Sequence, residues 1–165
     1  MGTTDMIKLE NVTKIYDLGK GAFVTAVREV NLEIAAGEFA VIVGRSGSGK
    51  TTALNLAAGL TRPTSGRVTL DGVDLWQLSD RQQSALRNQK IGFVFQFPSL
   101  LPSLTVLENV ILPTTFAANS NKLAACARAH ELLERVGLAD KLNVYPRQLS
   151  AGQQQRVVIA RSLIN

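Results

Sequence analysis

Residues 44–51 form the pattern that most constrains how this chain can fold. They read Gly-Arg-Ser-Gly-Ser-Gly-Lys-Thr and match G-x-x-x-x-G-K-[ST] at every fixed position. The glycines allow successive N–H groups to point inward, and a following helix would add the positive end of its dipole. Lys50 is then expected to reach the β- and γ-phosphates of a nucleotide, and the Thr51 hydroxyl to bind Mg²⁺. A Rossmann loop, G-x-G-x-x-G, is excluded because Thr52 stands where its third glycine belongs.

The surrounding sequence predicts the strand and helix that such a loop requires. Residues 39–43 are a continuous apolar run, typical of a strand buried on both faces, and helix-forming residues follow from 50 to 58. Further strands are predicted at 7–16, 24–34, 66–70 and 91–95. Later residues favour helices: two short ones opened by the capping boxes at 79–82 and 105–108, and longer ones at 122–136 and 153–164. We therefore expect an α/β domain with a helical subdomain that begins near residue 97.

Composition excludes several other classes of protein. The chain has 165 residues, 45% of them hydrophobic, which is enough for a folded domain. Cys126 is the single cysteine, so a disulfide scaffold is excluded. The first residues do not resemble a secretory signal, and the apolar runs are far shorter than a membrane-spanning helix, so a cytoplasmic location is predicted. The net charge of +5 comes from scattered lysines and arginines, and no nucleic-acid partner is expected.

A second motif lies at residues 149–156, which read Leu-Ser-Ala-Gly-Gln-Gln-Gln-Arg. Taken alone, residues 150–153 are an ordinary S-x-x-Q capping box. Together with the phosphate loop they make the whole chain resemble the ATP-binding cassette of ABC transporters. The resemblance implies a P-loop NTPase fold with an antiparallel β subdomain and a phosphate-loop core at 1–96, a helical subdomain at 97–150, and a signature helix at 151–165.

The resemblance also implies which residues form the ATP site. The phosphate-loop residues expected to bind ATP are Gly44, Arg45, Ser46, Gly47, Ser48, Gly49, Lys50, Thr51 and Thr52. Tyr16 stands where the family places an aromatic side chain that stacks on adenine. Gln96 matches the glutamine that contacts Mg²⁺ and the attacking water, so Lys50 and Gln96 are the expected catalytic residues, and Thr51 and Gln96 the expected metal ligands. Ser150, Ala151, Gly152 and Gln153 would contact ATP held by the second subunit of a homodimer or of a paired ABC dimer.

The stretch after Gln96 is similar to the subgroup that serves lipoprotein release and macrolide export. In this subgroup the surface near residues 97–101 would receive separate integral membrane subunits and hold the protein at the inner face of the plasma membrane. The exposed apolar residues expected there are Phe97, Leu100 and Leu101. The same residues could instead form the core of the helical subdomain, and both interpretations can hold together.

Two departures from the family pattern stand out. Ala151 replaces the usual glycine, which would be costly only if that position needs a positive φ. The chain also stops at Asn165 without the strand ending in Asp-Glu and without the later histidine that the family carries. We therefore expect an incomplete cassette with very low ATPase activity and an exposed, aggregation-prone apolar edge at residues 39–43.

Two alternative functions remain open. One is a nucleotide-binding fragment that performs no hydrolysis. The other is an ATPase of the SMC or DNA-repair type, which shares both motifs but inserts a long coiled coil between them, and no such coiled coil is present in this sequence.

Overall fold

The computed structural model of the chain describes residues 5–116 and 121–165. Their contacts define two compact units, unit 1 (Met1–Gln83) and unit 2 (Ser84–Asn165). The strands are β1 (Asp5–Asp17), β2 (Phe23–Ala35), β3 (Ser65–Leu70) and β4 (Val73–Asp74). The α-helices are α1 (Lys50–Ala57), α2 (Asp80–Lys90), α3 (Val106–Ile111), α4 (Lys122–Arg135) and α5 (Ala151–Ser162). Short 3₁₀ turns occupy Leu75–Gln77, Leu112–Phe116, Ala139–Lys141 and Pro146–Gln148.

Unit 1 is built on an antiparallel sheet with the strand order β2-β1-β3-β4. The long β1–β2 hairpin confirms the strands predicted at 7–16 and 24–34, and β3 confirms the one at 66–70. Asp71 and Gly72, both with positive φ, form the tight turn between β3 and β4. Gly66 has a φ of +89°, and a Cβ there would lie 2.5 Å from the Asn11 carbonyl oxygen, so only glycine lets β3 approach the bulge in β1.

The apolar core of unit 1 lies between this sheet and α1. Its fully buried side chains come from β1, α1, β3 and the first 3₁₀ turn: Leu9, Val12, Leu56, Val68, Leu70 and Leu75. Helix α1 ends just before Gly59, whose φ is +62°, as the sequence predicts. The core therefore fixes α1, and with it the start of that helix, against the sheet.

The strand predicted at residues 39–43 is wrong in this structure. A turn at Gly37, with Glu38 N–H donating to the Ala35 carbonyl, ends β2, and residues 39–43 pair with no strand of the described chain. Phe39 and Val43 are 91% and 83% exposed. An apolar run becomes a buried strand only when neighbouring strands satisfy its backbone groups, and the four described strands pair with one another instead. The segment is an exposed apolar stretch.

The strand predicted at residues 91–95 is also wrong. These residues have an irregular backbone, and the described residues of unit 2 contain no strand with which they could pair. The segment is instead fixed by packing. The Phe93 and Phe95 rings lie 4.5 Å apart, and a Cβ on Gly92 would collide with the Ser162 carbonyl oxygen at the end of α5.

Unit 2 is a helical unit whose predicted caps are all present. Thr105 and Glu108 form a reciprocal capping box at α3, and Ser150 and Gln153 form one at α5. The box of residues 79–82 likewise opens α2, which crosses from unit 1 into unit 2. Helix α4 ends before Gly137, with a φ of +70°, close to the predicted end. Helix α5 begins at Ala151, the predicted start of the signature helix, because Ser150 of the predicted capping box is its N-cap. The helical pattern at residues 153–164 places this start two residues later.

The core of unit 2 is formed where α3, α4 and α5 meet. Its buried members are Val106, Val110, Ala129, Leu132, Leu133, Leu138, Leu149, Val157, Ala160 and Ile164. On α4 the buried positions 129, 132 and 133 follow helical spacing, which confirms the predicted amphipathic helix. His130 on the same helix is exposed and Cys126 is half-buried.

Candidate nucleotide-binding site

The loop at residues 44–51 has the backbone that an anion-binding loop requires. Gly47 and Gly49 take positive φ values of 78° and 86°. The Ser48 N–H donates to the Arg45 carbonyl at 3.2 Å and closes a turn in the middle of the loop. The left-handed conformation at Gly49 leads directly into α1 at Lys50. The loop is therefore folded as a tight turn joined to a helix N-terminus, the arrangement in which backbone N–H groups bind phosphate.

Gly49 is required at its position for a second reason. A Cβ there would collide with the Ala26 carbonyl oxygen and lie 3.0 Å from a methyl group of Val27. The end of the loop is thus pressed against β2, and no larger residue fits without displacing the strand. This contact fixes the start of α1 relative to the sheet.

The Lys50 side chain folds back across the loop. Its Nζ donates to the carbonyl oxygens of Gly44 at 2.9 Å and Arg45 at 2.7 Å. An ammonium group has three hydrogens, so one remains for an oxygen of a bound anion. The positive charge is held in place by the loop itself.

The first turn of α1 presents further polar groups. Its N-cap, Gly49, offers no side-chain acceptor, and the first helical hydrogen bond runs from Ala53 N–H to the Gly49 carbonyl at 2.8 Å. Thr51 is exposed and Thr52 half-buried. The amides of residues 50–52 precede this first bond and are the groups that a ligand can satisfy at a helix start. Arg45, Ser46 and Ser48 are exposed around the loop.

Beside the loop lies a cleft of about 240 Å³. It is lined by β2 residues, by Ile42 and Val43, and by Ser48, Gly49, Lys50 and Ala53. Of the predicted phosphate-loop residues, Ser48, Gly49 and Lys50 line this cleft.

Tyr16 lies near the end of β1, opposite Val24, and is 37% exposed. The Lys14 Nζ lies 5.0 Å from the centre of its ring. One face of the ring thus has a cationic neighbour, and the remaining exposed surface is where a planar base could stack.

Gln96 and the signature residues lie in unit 2. Gln96 is exposed and follows the irregular segment 91–95. At the start of α5, Ser150 Oγ accepts from Gln153 N–H at 3.3 Å, and Gln153 Oε1 accepts from Ser150 N–H at 2.9 Å. Ala151 does not have a positive φ, so its Cβ costs nothing in this conformation. The glycine that the family usually carries is not needed here for backbone reasons.

Residues 97–101, the segment after Gln96, are divided between surface and core. Phe97 is 75% exposed and Leu101 45% exposed, whereas Leu100 is half-buried and packs against the core of unit 2. Leu100 thus contributes to the core of unit 2, and docking of membrane subunits on Phe97 and Leu101 stays a prediction.

Two residues that hold this segment were missed by the sequence analysis. Asn109 on α3 is fully buried, and its side chain accepts from Leu101 N–H at 2.8 Å and donates to the carbonyls of Leu101, Leu104 and Thr105. Arg161 on α5 donates to the Ser99 carbonyl at 2.8 Å and to Ser99 Oγ at 2.9 Å. Asn109 could have been found from the sequence, because it lies on the same helical face as the buried Val106 and Val110. No signal in the sequence points to Arg161.

Two side chains of unit 2, Glu108 and Arg161, have shifted pKa values. Hydrogen bonds from the Thr105 backbone and hydroxyl hold the pKa of Glu108 below its ordinary value. Burial lowers the pKa of the Arg161 guanidinium. Arg161 stays charged at neutral pH but is partly removed from water, so its hydrogen bonds to Ser99 replace lost hydration.

Over the described ranges 5–116 and 121–165, no helix is both long and apolar enough to cross a bilayer. The same residues contain no group of three or more His, Cys, Asp or Glu side chains arranged to hold a metal ion.

Comparison with known proteins defines the class. The sequence profile of the ABC transporter family matches residues 27–165, a range that includes the phosphate loop, Gln96 and the signature. The chain belongs to the ABC transporter family, as an ATP-binding domain with the ABC cassette fold.

Individual proteins of this family are similar to the chain over almost its whole length. An uncharacterized ABC transporter ATP-binding protein of Thermotoga maritima is 51% identical over 160 residues, covering 97% of this chain and 68% of the relative. The lipoprotein-releasing system ATP-binding protein LolD of Shewanella denitrificans is 48% identical over 164 residues, covering 99% of this chain and 69% of the relative. A dimeric, post-hydrolysis structure of the ATP-binding cassette MJ0796 bound to ADP and Pi matches with a TM-score of 0.89 and 46% identity, covering 97% of this chain and 70% of that chain.

Proposed function

We propose that this chain binds Mg²⁺-ATP at the loop of residues 44–52 as the ATP-binding subunit of an ABC transporter. The observation that carries the proposal is the folded loop, in which Lys50 Nζ is fixed by two carbonyls and retains one hydrogen for a phosphate oxygen. Thr51 at the helix start would bind Mg²⁺, and Gln96 would contribute a second ligand and contact the attacking water. Tyr16 would stack on the adenine.

The signature residues would act on a second nucleotide. Ser150, Ala151, Gly152 and Gln153 lie at the start of α5, where helix amides favour negative charge. We propose that they contact the γ-phosphate of ATP held by the loop of a second subunit in a closed dimer. The dimeric MJ0796 relative with ADP and Pi supports this arrangement.

Membrane subunits are the proposed partners. The exposed Phe97 and Leu101 form an apolar surface next to Gln96 that would receive them at the inner face of the membrane. The LolD relative supports a role in lipoprotein release or a related export process.

Hydrolysis by the polypeptide of residues 1–165 is proposed to be very slow. Transfer of a phosphoryl group to water needs charge neutralisation and a positioned nucleophile. Lys50, Thr51 and the loop amides supply the first, and Gln96 supplies part of the second. No Asp-Glu pair occurs among these residues to supply the general base that the family pattern carries.

The test is a titration of the purified chain with a fluorescent Mg²⁺-ATP analogue. Lys50→Met should weaken binding by about 10- to 100-fold, because a charge-assisted hydrogen bond contributes about 1.5–3 kcal/mol. Lys8→Met is the matched control; Lys8 lies on β1 and pairs with Glu10 at 3.4 Å, so its loss should change affinity less than twofold. Equal affinities for the wild type and Lys50→Met would overturn the proposed site. Turnover at the rate of an active cassette would overturn the proposal of slow hydrolysis.

A further inference from the structure

The carboxyl-terminal end of α5 contacts the chain on both sides of Gln96. Before Gln96, Gly92 packs so closely on the Ser162 carbonyl that no Cβ fits between them. After Gln96, Arg161 donates two hydrogen bonds to Ser99, one to its carbonyl and one to its hydroxyl. The stretch from 92 to 99 is therefore held at its two ends by adjacent residues of one helix.

The Arg161 contact fixes the orientation of Ser99 as well as its distance from α5. A guanidinium is planar, and two of its nitrogens donate to two oxygens of the same residue at 2.8 and 2.9 Å. Arg161 is half-buried, and burial lowers its pKa, so the charge depends on these bonds in place of water. A lysine could make one such bond but not the fork.

A second anchor lies two residues further along the chain. The buried Asn109 side chain binds both the N–H and the carbonyl of Leu101. Helix α3, which carries Asn109, shares one core with α5 through Val106, Val110 and Val157. Residues 99–101 thus cannot shift relative to α5 without breaking the Arg161 fork or the Asn109 bonds.

We propose that Arg161 is a positioning residue that links the surface at Phe97 and Leu101 to both Gln96 and the signature helix. Helix α5 begins with the signature residues, and Arg161 lies in its last turn. A partner that moves residues 97–101 would move α5 as a rigid element, and the signature residues would move with it. This inference rests on the proposed docking of membrane subunits at residues 97–101.

The experiment uses the complete ATP-binding subunit assembled with its membrane subunits in proteoliposomes, and compares ATPase activity with that of the subunit alone. Arg161→Met should lower the partner-dependent stimulation of ATPase by about 10-fold, within the usual range for coupling between sites. Mg²⁺-ATP affinity should change less than twofold, so the loss appears in kcat rather than KM. Arg161→Lys should restore part of the stimulation. Arg128→Met is the matched control, since Arg128 lies in the same unit but donates to Glu131 on its own helix instead, and stimulation should stay unchanged.

A double-mutant cycle identifies the contact itself. Ser99→Ala should lower stimulation by a smaller factor than Arg161→Met, since the carbonyl bond remains, and the two changes should be less than multiplicative together. Multiplicative effects, or full stimulation in Arg161→Met, would overturn the inference. Loss of partner binding in Phe97→Glu tests the underlying proposal separately. If Phe97→Glu still binds the membrane subunits, the docking proposal fails, and with it the inference that depends on it.

Discussion

Removal of the Asn109 side chain is the sharpest test of how unit 2 is held together. The residue is fully buried, and its amide oxygen accepts one hydrogen bond. Its two amide hydrogens are shared among three carbonyl oxygens, which lie 2.9–3.1 Å from the amide nitrogen. Each net hydrogen bond contributes about 1 kcal/mol. Asn109→Ala should therefore lower the free energy of unfolding by about 3 kcal/mol. With a urea slope of about 2 kcal/mol/M, the midpoint should fall by roughly 1.5 M.

The assay is urea unfolding followed by ellipticity at 222 nm. Asn143→Ala is the control, because Asn143 is exposed in the same unit and its loss should change stability by less than about 0.5 kcal/mol. Asn109→Asp separates hydrogen bonding from size. A carboxylate has nearly the same shape but would face three carbonyls without a donor, so it should destabilise at neutral pH at least as much as alanine. A change under 0.5 kcal/mol for Asn109→Ala would refute the reasoning.

Three further changes test other parts of the molecule. Gly49→Ala forces a Cβ against β2 at a position with a φ of +86°. It should lower the free energy of unfolding by about 1–2 kcal/mol for the backbone alone and weaken Mg²⁺-ATP binding. Thermal unfolding with and without nucleotide measures both effects. Ser150→Ala removes the acceptor for Gln153 N–H, should cost about 1 kcal/mol, and should speed hydrogen exchange at that amide, whereas Ser150→Asp should keep the protection. The pKa of Glu108 lies below its ordinary value, so its hydrogen bonds to Thr105 contribute stability above pH 4.5 that is lost as the pH falls through the folded-state pKa. Thr105→Val should raise that pKa in an NMR titration and weaken the acid dependence of unfolding; an unchanged pKa would contradict the assignment.

Local features of this fold could be predicted from the sequence because their causes are local. A capping box needs only a hydroxyl and a carboxylate or amide three residues later, and the boxes at Thr105 and Ser150 form as expected. Gly59 and Gly137 end α1 and α4 because the left-handed conformation favours glycine in any context. The phosphate loop belongs to the same class, since its glycines and Lys50 determine its own hydrogen bonds.

The remaining features depend on partners distant in the sequence. Residues 39–43 have the composition of a buried strand, but a strand exists only where another strand bonds to it, and composition does not specify that neighbour. The same reason explains the error at residues 91–95. The two bonds from Arg161 to Ser99 span 62 residues, and no spacing or pattern in the sequence points to them.

The position of the Lys50 ammonium has a kinetic consequence. Because two loop carbonyls already hold it, we expect that the loop needs no folding step before it contacts a nucleotide. The remaining changes are then expected to be side-chain motions on the nanosecond timescale, far faster than diffusional encounter at micromolar concentrations. The association rate should then be nearly the same for different nucleoside triphosphates. Discrimination among them would be expressed in how long each stays bound, which would depend on the surface proposed to contact the base near Tyr16 rather than on the phosphate loop.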